Sequence, residues 1–281
     1  DFDQFIEKLA AKVRLLDLDI LYTIGGNGTL AVANALGEKL LHDGGKPCVV
    51  VGGPKTMDND INFTDFTFGF RTTVDNAIKV LCDFHREAET LERIGIIELF
   101  GAASGFVALH AAYACGDADY VLIPETIDDN PASAWEELEN AIQIIKTRAD
   151  KKGHALLVVA EGATLKIFAQ NYKHNMTVDQ EKAFMNLVEE VKKRTGYSVF
   201  YNQPRHLIRA TPPNGFDIDL CKFTGKLMVD AALAGFTRCA VHLWQGNYVL
   251  VPLETAIAEL KRVDIHGYYF TSMREKYLLA K

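Results

Sequence analysis

The sequence contains few of the features that mark membrane, secreted or nucleic-acid-binding proteins. No apolar stretch approaches the roughly 20 residues that a membrane-spanning helix needs, and no signal-like segment stands at the start. Basic residues are in deficit, because 30 Lys and Arg stand against 37 Asp and Glu, for a formal net charge of −7. We therefore expect a cytoplasmic protein that binds neither membranes nor nucleic acid, and that holds any anionic ligand in a local basic pocket.

Cysteines are also scarce, and none has the spacing of a metal-ligand motif. The chain has five, an odd number, scattered in mostly apolar surroundings: Cys48, Cys82, Cys115, Cys221 and Cys239. This pattern is typical of buried free thiols in a reducing compartment. The first residue is Asp1 rather than Met, and a helix-like segment comes directly after it with no preceding strand. We therefore expect a chain cut from something longer.

Short apolar runs alternate with segments of helical periodicity, which predicts a doubly wound, mostly parallel α/β fold. Buried strands are expected at residues 20–24, 48–51, 94–99, 119–123 and 155–160. The handedness of the crossovers then places the turns after the strands on one edge of the sheet, where ligands bind in such folds. These turns are residues 25–29, 54–60, 100–105 and 161–162.

The most informative of these turns is the stretch 53–61, which comes after the second strand. It delivers two carboxylates (Asp58 and Asp60), a lysine (Lys55) and a hydroxyl (Thr56) to the carboxyl end of one strand. Transfer of a phosphoryl group to a sugar hydroxyl requires a base, cations around the phosphoryl oxygens and a divalent metal. Asp58 is the candidate base, and paired carboxylates commonly place Mg²⁺ beside phosphates.

Two further stretches could bind phosphate. The turn made of Gly25, Gly26, Asn27, Gly28 and Thr29 joins a strand to a helix, where backbone amides and the helix amino end favour an anion. A plain tight turn is the alternative for such a glycine-rich segment. Residues 204–209 carry the densest local group of nitrogen donors, namely Arg205, His206 and Arg209.

Taken together, these motifs resemble those of the 6-phosphofructokinase family. The resemblance rests on residues 54–61, 25–29 and 68–72, and continues in order through 101–106, 123–125, 160–162 and 206–209. Lys55 combined with Gly28 resembles the ATP-dependent branch that includes trypanosomal and plant enzymes. The family resemblance implies a phosphofructokinase-type fold and transfer of a phosphoryl group from ATP to the 1-hydroxyl of fructose 6-phosphate in glycolysis.

The resemblance also implies roles for individual residues. Asp58 would act as general base, with Lys55 and Thr56 near the transferred group, and Asn27 and Asp58 would hold Mg²⁺. The nucleotide would lie on residues 25–29. Asp60, Gly101, Glu161, His206 and Arg209 would bind fructose 6-phosphate. Arg93 matches a basic residue that a neighbouring subunit contributes, which implies a homodimer or homotetramer with a shared active site. We expect residues 1–130 to handle the phosphoryl donor and residues 131–281 the sugar phosphate.

The sequence departs from the family pattern in four places. Asn27 stands where the family has Asp, and Ala102 stands where it has an Arg whose loss typically costs about a hundredfold in turnover. Phe200 replaces another basic residue, for which Arg205 is a possible substitute. The family's first βα unit would lie roughly 70 to 80 residues upstream of Gly25, judging from the usual βαβ spacing, so we expect it to be missing.

Several readings remain open from sequence alone. The protein could be a working ATP-dependent kinase, or a pyrophosphate-dependent one, although the latter usually carry an acidic residue at the position of Gly28. It could also be a degenerate paralogue or regulatory subunit that binds sugar phosphate without catalysis. A dinucleotide-dependent oxidoreductase is a further alternative, but the turn lacks the Gly-x-Gly-x-x-Gly spacing, and Gly52 and Gly53 stand where an acidic residue is expected.

Overall fold

The computed structural model describes residues 2–42, 44–128, 130–168 and 176–278. Its strands, in chain order, are β1 (Ile20–Gly25), β2 (Val49–Pro54), β3 (Ile94–Leu99), β4 (Tyr120–Leu122), β5 (Ala155–Ala160), β6 (Val199–Asn202), β7 (Cys239–Trp244) and β8 (Asn247–Pro252). Its α-helices are α1 (Phe2–Leu15), α2 (Asn27–His42), α3 (Phe70–Leu91), α4 (Phe106–Cys115), α5 (Pro131–Lys152), α6 (Glu161–Phe168), α7 (Met176–Thr195), α8 (Arg205–Arg209), α9 (Gly215–Leu233), α10 (Leu253–Ile257) and α11 (Tyr268–Leu278).

The chain forms two compact units. Asp1–Arg71 and Pro213–Lys261 make up the first, and Thr72–Pro212 and Arg262–Lys281 make up the second. This division differs from the single boundary expected near residue 130, because β7 and β8 return to the sheet that β1 and β2 begin. Which part of the chain handles the donor and which the sugar phosphate stays a prediction.

The first unit contains a four-stranded sheet in the order β1-β2-β7-β8. The first three strands run parallel, and β8 is antiparallel to β7 in a hairpin. Helix α2 packs its apolar face against this sheet, where Leu30, Leu36 and Leu40 are buried in one core with Val50 and Leu253. Helix α1 buries Ile6, Ala10 and Val13, whereas its first aromatic residues, Phe2 and Phe5, are exposed.

The second unit contains an all-parallel sheet in the order β4-β5-β3-β6. Every residue of β3 and β5 is buried, which explains why both strands are continuous apolar runs rather than alternating patterns. The one exception to the apolar character is Glu98 in β3, which is 6% exposed. An acid in a fully buried strand requires partners, and these are described below.

The five strands expected from the sequence are all present, with one correction to their arrangement. The strands form two sheets, so the four turns lie in two pairs at two sheet edges rather than on one edge. Helix α6 continues to Phe168, and residues 169–175 lie outside the described part of the chain.

None of the helices in the described residues combines the length and the apolar character that a membrane span requires.

Candidate functional site

The first unit brings the glycine-rich turn and the central motif side by side. The register of β1 and β2 pairs Gly25 with Pro54, so the two strands end together at the carboxyl edge of the sheet. Beyond this pair, the backbone N–H of Lys55 donates to the carbonyl oxygen of Gly25 at 2.9 Å. The two stretches that the sequence singled out therefore form one continuous surface within this unit.

Each glycine of the turn has a distinct steric role. A Cβ on Gly25 would lie 2.3 Å from Thr29 Oγ1, so only glycine fits there. A Cβ on Gly26 would lie 3.7 Å from the Lys55 carbonyl, which is ordinary contact. At Gly28 no atom that could clash, among the described residues, lies within 4 Å. Because α2 begins at Asn27 rather than near Leu30, Gly28 lies in the first helical turn, where backbone N–H groups favour an anion.

Two buried oxygen atoms at this edge have no hydrogen-bond donor in the described part of the chain. Asn27 Oδ1 and Asp60 Oδ1 are both buried with no hydrogen-bond partner among the described residues. The two residues are neighbours, because Asn27 Nδ2 lies 3.5 Å from the Asp60 carbonyl oxygen. Buried acceptors are almost always paired, so this pair indicates a place for a cation or another donor. Carboxylate and amide oxygens are the ligands that Mg²⁺ prefers.

Asn59 fixes the backbone of the acidic loop, a role that the sequence did not assign. Its φ of 55° is left-handed, a conformation that Asn tolerates better than most residues. The side chain accepts from Thr67 N at 3.0 Å and donates to the Asp65 carbonyl at 3.1 Å. Thr67 Oγ1 in turn donates to the Thr56 carbonyl at 2.6 Å. These hydrogen bonds hold the loop that carries Asp58 and Asp60 against the segment that contains Asp65 and Thr67.

The remaining residues of the motif differ in exposure. Lys55 is exposed, whereas Thr56, Asp58 and Asp60 are partly buried. Thr56 Oγ1 accepts a hydrogen bond from the Asp58 backbone N–H at 3.2 Å, so this hydroxyl has a structural contact. Because the hydroxyl oxygen is the acceptor, this hydrogen bond does not use the hydroxyl proton. A contact of Thr56 with a phosphoryl group stays a prediction.

Lys261 places a partly buried positive charge beside the motif, and the sequence did not indicate it. Its Nζ donates to the carbonyl oxygens of Thr64 at 2.7 Å and Asp65 at 3.1 Å, and its backbone N–H donates to the Asp60 carbonyl at 2.9 Å. Burial lowers the pKa of Lys261 to about 8, against the opposing fields of Asp65 and Asp60. No local pattern marks this lysine, because it reaches the motif only through the fold.

The second unit has a comparable edge at the ends of β3 and β5. Gly101 comes after β3 with a φ of 134°, and a Cβ there would lie 2.4 Å from the Ser104 carbonyl oxygen. Gly162 donates its N–H to the Gly101 carbonyl at 3.0 Å, and a Cβ on Gly162 would lie 2.1 Å from the Ala102 carbonyl. These close approaches require glycine at both positions and fix Glu161 at the start of α6.

Glu161 faces two of the cations that the sequence singled out. Burial raises the pKa of this carboxyl group, while the backbone of Gly101 and the charges of Arg205 and Arg209 oppose the rise. Arg205 and Arg209 stand four residues apart on α8, a spacing that places side chains on one face. His206 and Arg209 are exposed on the same short helix. The structure thus places Arg205 and Arg209 near Glu161, and the binding of fructose 6-phosphate by Glu161, His206 and Arg209 stays a prediction.

Glu98 is the main residue of this edge that the sequence reading missed. Its carboxylate accepts hydrogen bonds from Thr164 Oγ1 at 2.9 Å and from the amide of Gln203. Burial raises the pKa of Glu98 to about 7 despite these donors, and Glu161 adds to the rise. A small cavity is lined by Glu98, Leu99, Phe100, Glu161, Gln203, Arg205 and Ile208. The sequence signal that could have identified Glu98 is an acidic residue inside an otherwise apolar strand.

Arg93 and Phe200 lie away from this edge. Arg93 precedes β3, and the six residues of that strand separate it from the Gly101 turn by about 20 Å. Within one chain Arg93 is therefore not part of the Glu161 group, and the predicted contribution from a neighbouring subunit remains a prediction. Phe200 in β6 packs against Phe84 with ring centroids 4.3 Å apart. Arg205, by contrast, lines the cavity beside Glu161.

The chain is thus an α/β protein with mostly parallel sheets, whose strand ends carry glycine-rich turns, carboxylates and basic side chains. The sequence model of the family described as phosphofructokinase matches residues 1–232. The chain belongs to the phosphofructokinase family.

Curated relatives carry the same family name. The chain is 34% identical over 268 residues to the ATP-dependent 6-phosphofructokinase of Entamoeba histolytica, covering 92% of this chain and 59% of that protein. It is 31% identical over 276 residues to the enzyme of the same name from Trypanosoma cruzi, covering 92% and 54%. For ATP-dependent 6-phosphofructokinase 1 of Arabidopsis thaliana, the identity is 29% over 271 residues, covering 92% and 56%. The chain thus spans little more than half the length of these relatives.

Solved structures share the fold. A pyrophosphate-dependent phosphofructokinase from Marinobacter aquaeolei matches with a TM-score of 0.75 and 21% identity, covering 98% of this chain and 70% of that chain. Phosphofructokinase from Saccharomyces cerevisiae matches with a TM-score of 0.68 and 22% identity, covering 96% and 35%. At these identities the likeness shows the phosphofructokinase fold alone. The predicted α/β fold with mostly parallel sheets is confirmed.

Proposed function

We propose that the protein transfers a phosphoryl group from ATP to the 1-hydroxyl of fructose 6-phosphate, as a cytoplasmic ATP-dependent 6-phosphofructokinase. The observation that carries this proposal is the first unit's edge, where the turns after β1 and β2 carry Lys55, Asp58 and two buried oxygens, Asn27 Oδ1 and Asp60 Oδ1, without hydrogen-bond partners among the described residues. The printed names of the relatives from Entamoeba histolytica and Trypanosoma cruzi support the choice of reaction.

In this mechanism Asp58 accepts the proton of the sugar 1-hydroxyl as that oxygen attacks the terminal phosphorus of ATP. The bond from phosphorus to the bridging oxygen breaks, and ADP leaves. Lys55 is exposed at the same loop and places a positive charge near the transferred group. Thr56 donates its hydroxyl to a phosphoryl oxygen. Asn59 keeps the loop in place through its contacts with Thr67 and Asp65.

The residues present fit a divalent metal ion. Asn27 Oδ1 is a buried acceptor with no donor among the described residues, and Asp60 Oδ1 is another. We assign Asn27 and Asp58 as residues that hold Mg²⁺, with Asp60 close by. When bound, Mg²⁺ supplies positive charge that neutralises the phosphate oxygens during transfer. Asn27 lacks the full charge of an aspartate, so we expect weaker Mg²⁺ binding than an acidic residue would give.

The sugar phosphate is assigned to the second unit's edge. Glu161 accepts hydrogen bonds from sugar hydroxyls, while His206 and Arg209 bind the 6-phosphate, and Gly101 lets the backbone approach the substrate. Arg209 has a geometry suited to phosphate oxygens. Arg93 lies at the other end of β3, so it completes a pocket only from a neighbouring subunit. The active protein is accordingly a homodimer or homotetramer with shared active sites.

ATP is favoured over pyrophosphate by the space around Gly28. Among the described residues, no atom that could clash lies within 4 Å of a Cβ placed there, so the first turn of α2 is open on that side. An acidic side chain at this position would occupy that space and repel the α-phosphate of a nucleotide. The residues from 25 to 29 therefore bind the nucleotide phosphates through backbone N–H groups.

The test is a paired assay of the purified protein with fructose 6-phosphate and Mg²⁺, using ATP or pyrophosphate as donor. We expect formation of fructose 1,6-bisphosphate and ADP with ATP, and little product with pyrophosphate. Turnover with pyrophosphate alone would overturn the assignment of the donor. Absence of turnover with both donors would overturn the kinase proposal.

A regulatory subunit that binds sugar phosphate without catalysis is the second candidate. The observation in its favour is Ala102, which is exposed where the family carries an arginine at the reacting phosphoryl group. Ligand-induced thermal stabilisation separates the two candidates, because a ligand that binds only the native state raises the melting temperature. Stabilisation by fructose 6-phosphate, with no response to ATP and no turnover, would favour the subunit.

A further inference from the structure

Two cysteines that are far apart in the sequence meet in the second unit. Cys82 lies on α3 and Cys115 is the last residue of α4, and their Sγ atoms are 3.3 Å apart. The carboxylate Oδ2 of Asp117 lies 3.7 Å from Cys115 Sγ. The donor atoms of Cys82, Cys115 and Asp117 all lie within 4.8 Å of one another. The expectation of buried thiols holds for Cys48 and Cys239, whereas this pair is only partly buried.

A fourth donor faces the same carboxylate. His85 Nδ1 lies 3.7 Å from Asp117 Oδ2. Cys82 and His85 are three residues apart on α3, a spacing that makes side chains neighbours on a helix surface. On the other element, Gly116 adopts the left-handed conformation with φ 79° and caps α4. The chain therefore turns between Cys115 and Asp117, which brings both side chains to the same part of α3.

The spacing of Cys82, Cys115 and Asp117 is close to that of a tetrahedral metal site, and His85 reaches this group through Asp117. Zinc bonds of about 2.3 Å to sulfur and about 2.0 to 2.2 Å to nitrogen or oxygen imply separations of about 3.8 Å between two sulfurs and about 3.4 Å between nitrogen and oxygen. The observed separations are 3.3 Å between the sulfurs and 3.7 Å between nitrogen and oxygen. Shifts of a few tenths of an ångström would close both differences, whereas the His85 ring, which lies outside the 4.8 Å group, would have to turn further toward the sulfurs.

We propose that Cys82, His85, Cys115 and Asp117 bind a thiophilic divalent cation of the zinc class. Two thiolates, an imidazole and a carboxylate complete a four-coordinate shell, which is the pattern of a structural rather than a catalytic zinc site. The ion would link α3 to the turn after α4. This site is independent of the proposed phosphoryl transfer, since none of its four residues has a role there.

A disulfide between Cys82 and Cys115 is the competing interpretation. A disulfide would use only the two sulfurs, whereas a metal ion would also use Asp117 Oδ2, which lies 3.7 Å from Cys115 Sγ. A coordinating metal ion deprotonates a thiol outright, so both sulfurs would bind it as thiolates. The grouping of the two sulfurs with Asp117 Oδ2 therefore favours the metal.

The site has a route for ion access. His85 and Asp117 also line a polar cavity of about 490 Å³ whose other walls are Glu89, Gly116, Asp119, Arg148, Lys152 and His154. The ring of His154 lies against that of His85, with centroids 5.2 Å apart. The acids Glu89 and Asp119 balance the charges of Arg148 and Lys152, so the cavity does not exclude a cation on charge alone.

The test uses Co²⁺ as a spectroscopic probe and Zn²⁺ as a competitor on the reduced, metal-free protein. We expect one Co²⁺ per chain, with the intense visible absorption of tetrahedral coordination and a thiolate-to-metal charge-transfer band, and displacement of both signals by Zn²⁺. Cys82→Ser and Cys115→Ser should each abolish the charge-transfer band or reduce it to that of one thiolate. His85→Ala and Asp117→Asn should weaken Zn²⁺ binding at least tenfold.

Cys221→Ser is the matched control, because Cys221 is an exposed cysteine in the first unit. This variant should keep the full Co²⁺ spectrum and the full Zn²⁺ affinity, and circular dichroism should show that all variants fold. The proposal would be overturned if the fully reduced protein gave no tetrahedral Co²⁺ spectrum. It would equally be overturned if the Cys82 and Cys115 variants retained the wild-type spectrum, or if thiol counting showed a Cys82–Cys115 disulfide that persists under reducing conditions.

Discussion

The buried carboxylate of Glu98 accepts a hydrogen bond from the side-chain amide of Gln203. The carbonyl oxygen of that amide lies 3.4 Å from the guanidinium of Arg205, which faces Glu161. A carboxylate that the sequence reading overlooked is thus joined through one amide to the proposed sugar-phosphate group. Because Glu98 acts on that group only through Gln203, we regard it as a positioning residue.

Glu98 makes stability depend on pH. Its folded-state pKa of about 7 lies above the ordinary value of 4.5, so between these pH values the unfolded state has lost the proton that the folded state retains. Stability therefore falls as pH rises through this window, by an amount on the order of 3 kcal/mol for a shift of this size. His242, whose pKa burial lowers to about 4, contributes the opposite slope below pH 6.5.

The effect of Glu98 is isolated by comparing the wild type with Glu98→Gln. The free energy of unfolding of each protein is measured with urea at pH values from 5 to 8. We expect it to fall more steeply with rising pH in the wild type than in Glu98→Gln. Glu136→Gln, at an exposed position on α5, is the control and should leave the wild-type profile unchanged. Parallel pH profiles for wild type and Glu98→Gln would contradict a raised pKa for this carboxyl group.

Asp58→Asn tests the general base. The substitution keeps the size of the side chain but removes the proton acceptor, and loss of such a group typically costs about a hundredfold or more in kcat. Steady-state kinetics with ATP and fructose 6-phosphate measure the effect, and Asp83→Asn on the exposed surface of α3 serves as control. A loss of less than tenfold in an active protein would mean that Asp58 is not the base.

The local elements could be predicted from the sequence because their signals are local. Strands β3 and β5 begin and end at the predicted residues, since a buried parallel strand is a continuous apolar run. The assignment of strands to two sheets could not be predicted. It depends on β7 pairing with β2 at Val51 and Gly52, a contact between distant parts of the chain. For this reason, the prediction that all four turns lie on one edge of a single sheet was wrong.

The candidate site shows the same limit. The sequence marks Asp58, Asp60 and Glu161, because each comes after a strand. It gives no sign of Lys261, which is the last residue of the first unit and follows Thr64 and Asp65 by 197 and 196 residues in the chain. Its Nζ donates to the carbonyl oxygens of both residues. It also marks Arg93 as a site residue, although the fold places this arginine at the opposite end of β3. Local patterns identify the residues at the end of a strand, whereas long-range packing decides which other residues lie beside them.

Gly28→Asp tests the choice of phosphoryl donor. The new carboxylate would lie in open space at the first turn of α2, so the helix should tolerate it, but it would face the nucleotide phosphates. The repulsion between this carboxylate and the phosphates should lower kcat/KM for ATP at least tenfold, because two like charges placed side by side cost several kcal/mol. Gly28→Ala is the matched control and should keep ATP activity. Equal ATP kinetics in both variants would contradict nucleotide binding at this turn.

Gly162→Ala tests the steric reason for glycine in the second unit. A Cβ at Gly162 would lie 2.1 Å from the Ala102 carbonyl oxygen, so the backbone must shift, and overpacking of this kind costs about 1 to 3 kcal/mol. Gly215→Ala, where no atom of the described residues that could clash lies within 4 Å, should be neutral or stabilise by up to about 1 kcal/mol. Thermal unfolding of the two variants measures the difference. Equal melting temperatures would contradict the close approach at Gly162.

Ala102→Arg tests whether the site lacks one cation. Ala102 is exposed in the turn after β3, so a longer side chain can be accommodated without displacing a core residue. If the negative charge on the phosphoryl group in the transition state is not fully neutralised there, a guanidinium should raise kcat by about tenfold or more. The effect on KM for fructose 6-phosphate should be smaller. Ala102→Gln supplies a long polar side chain without charge and should leave kcat near the wild-type value. An equal gain in both variants would point to packing rather than charge, and no gain in Ala102→Arg would show that another cation already serves this role.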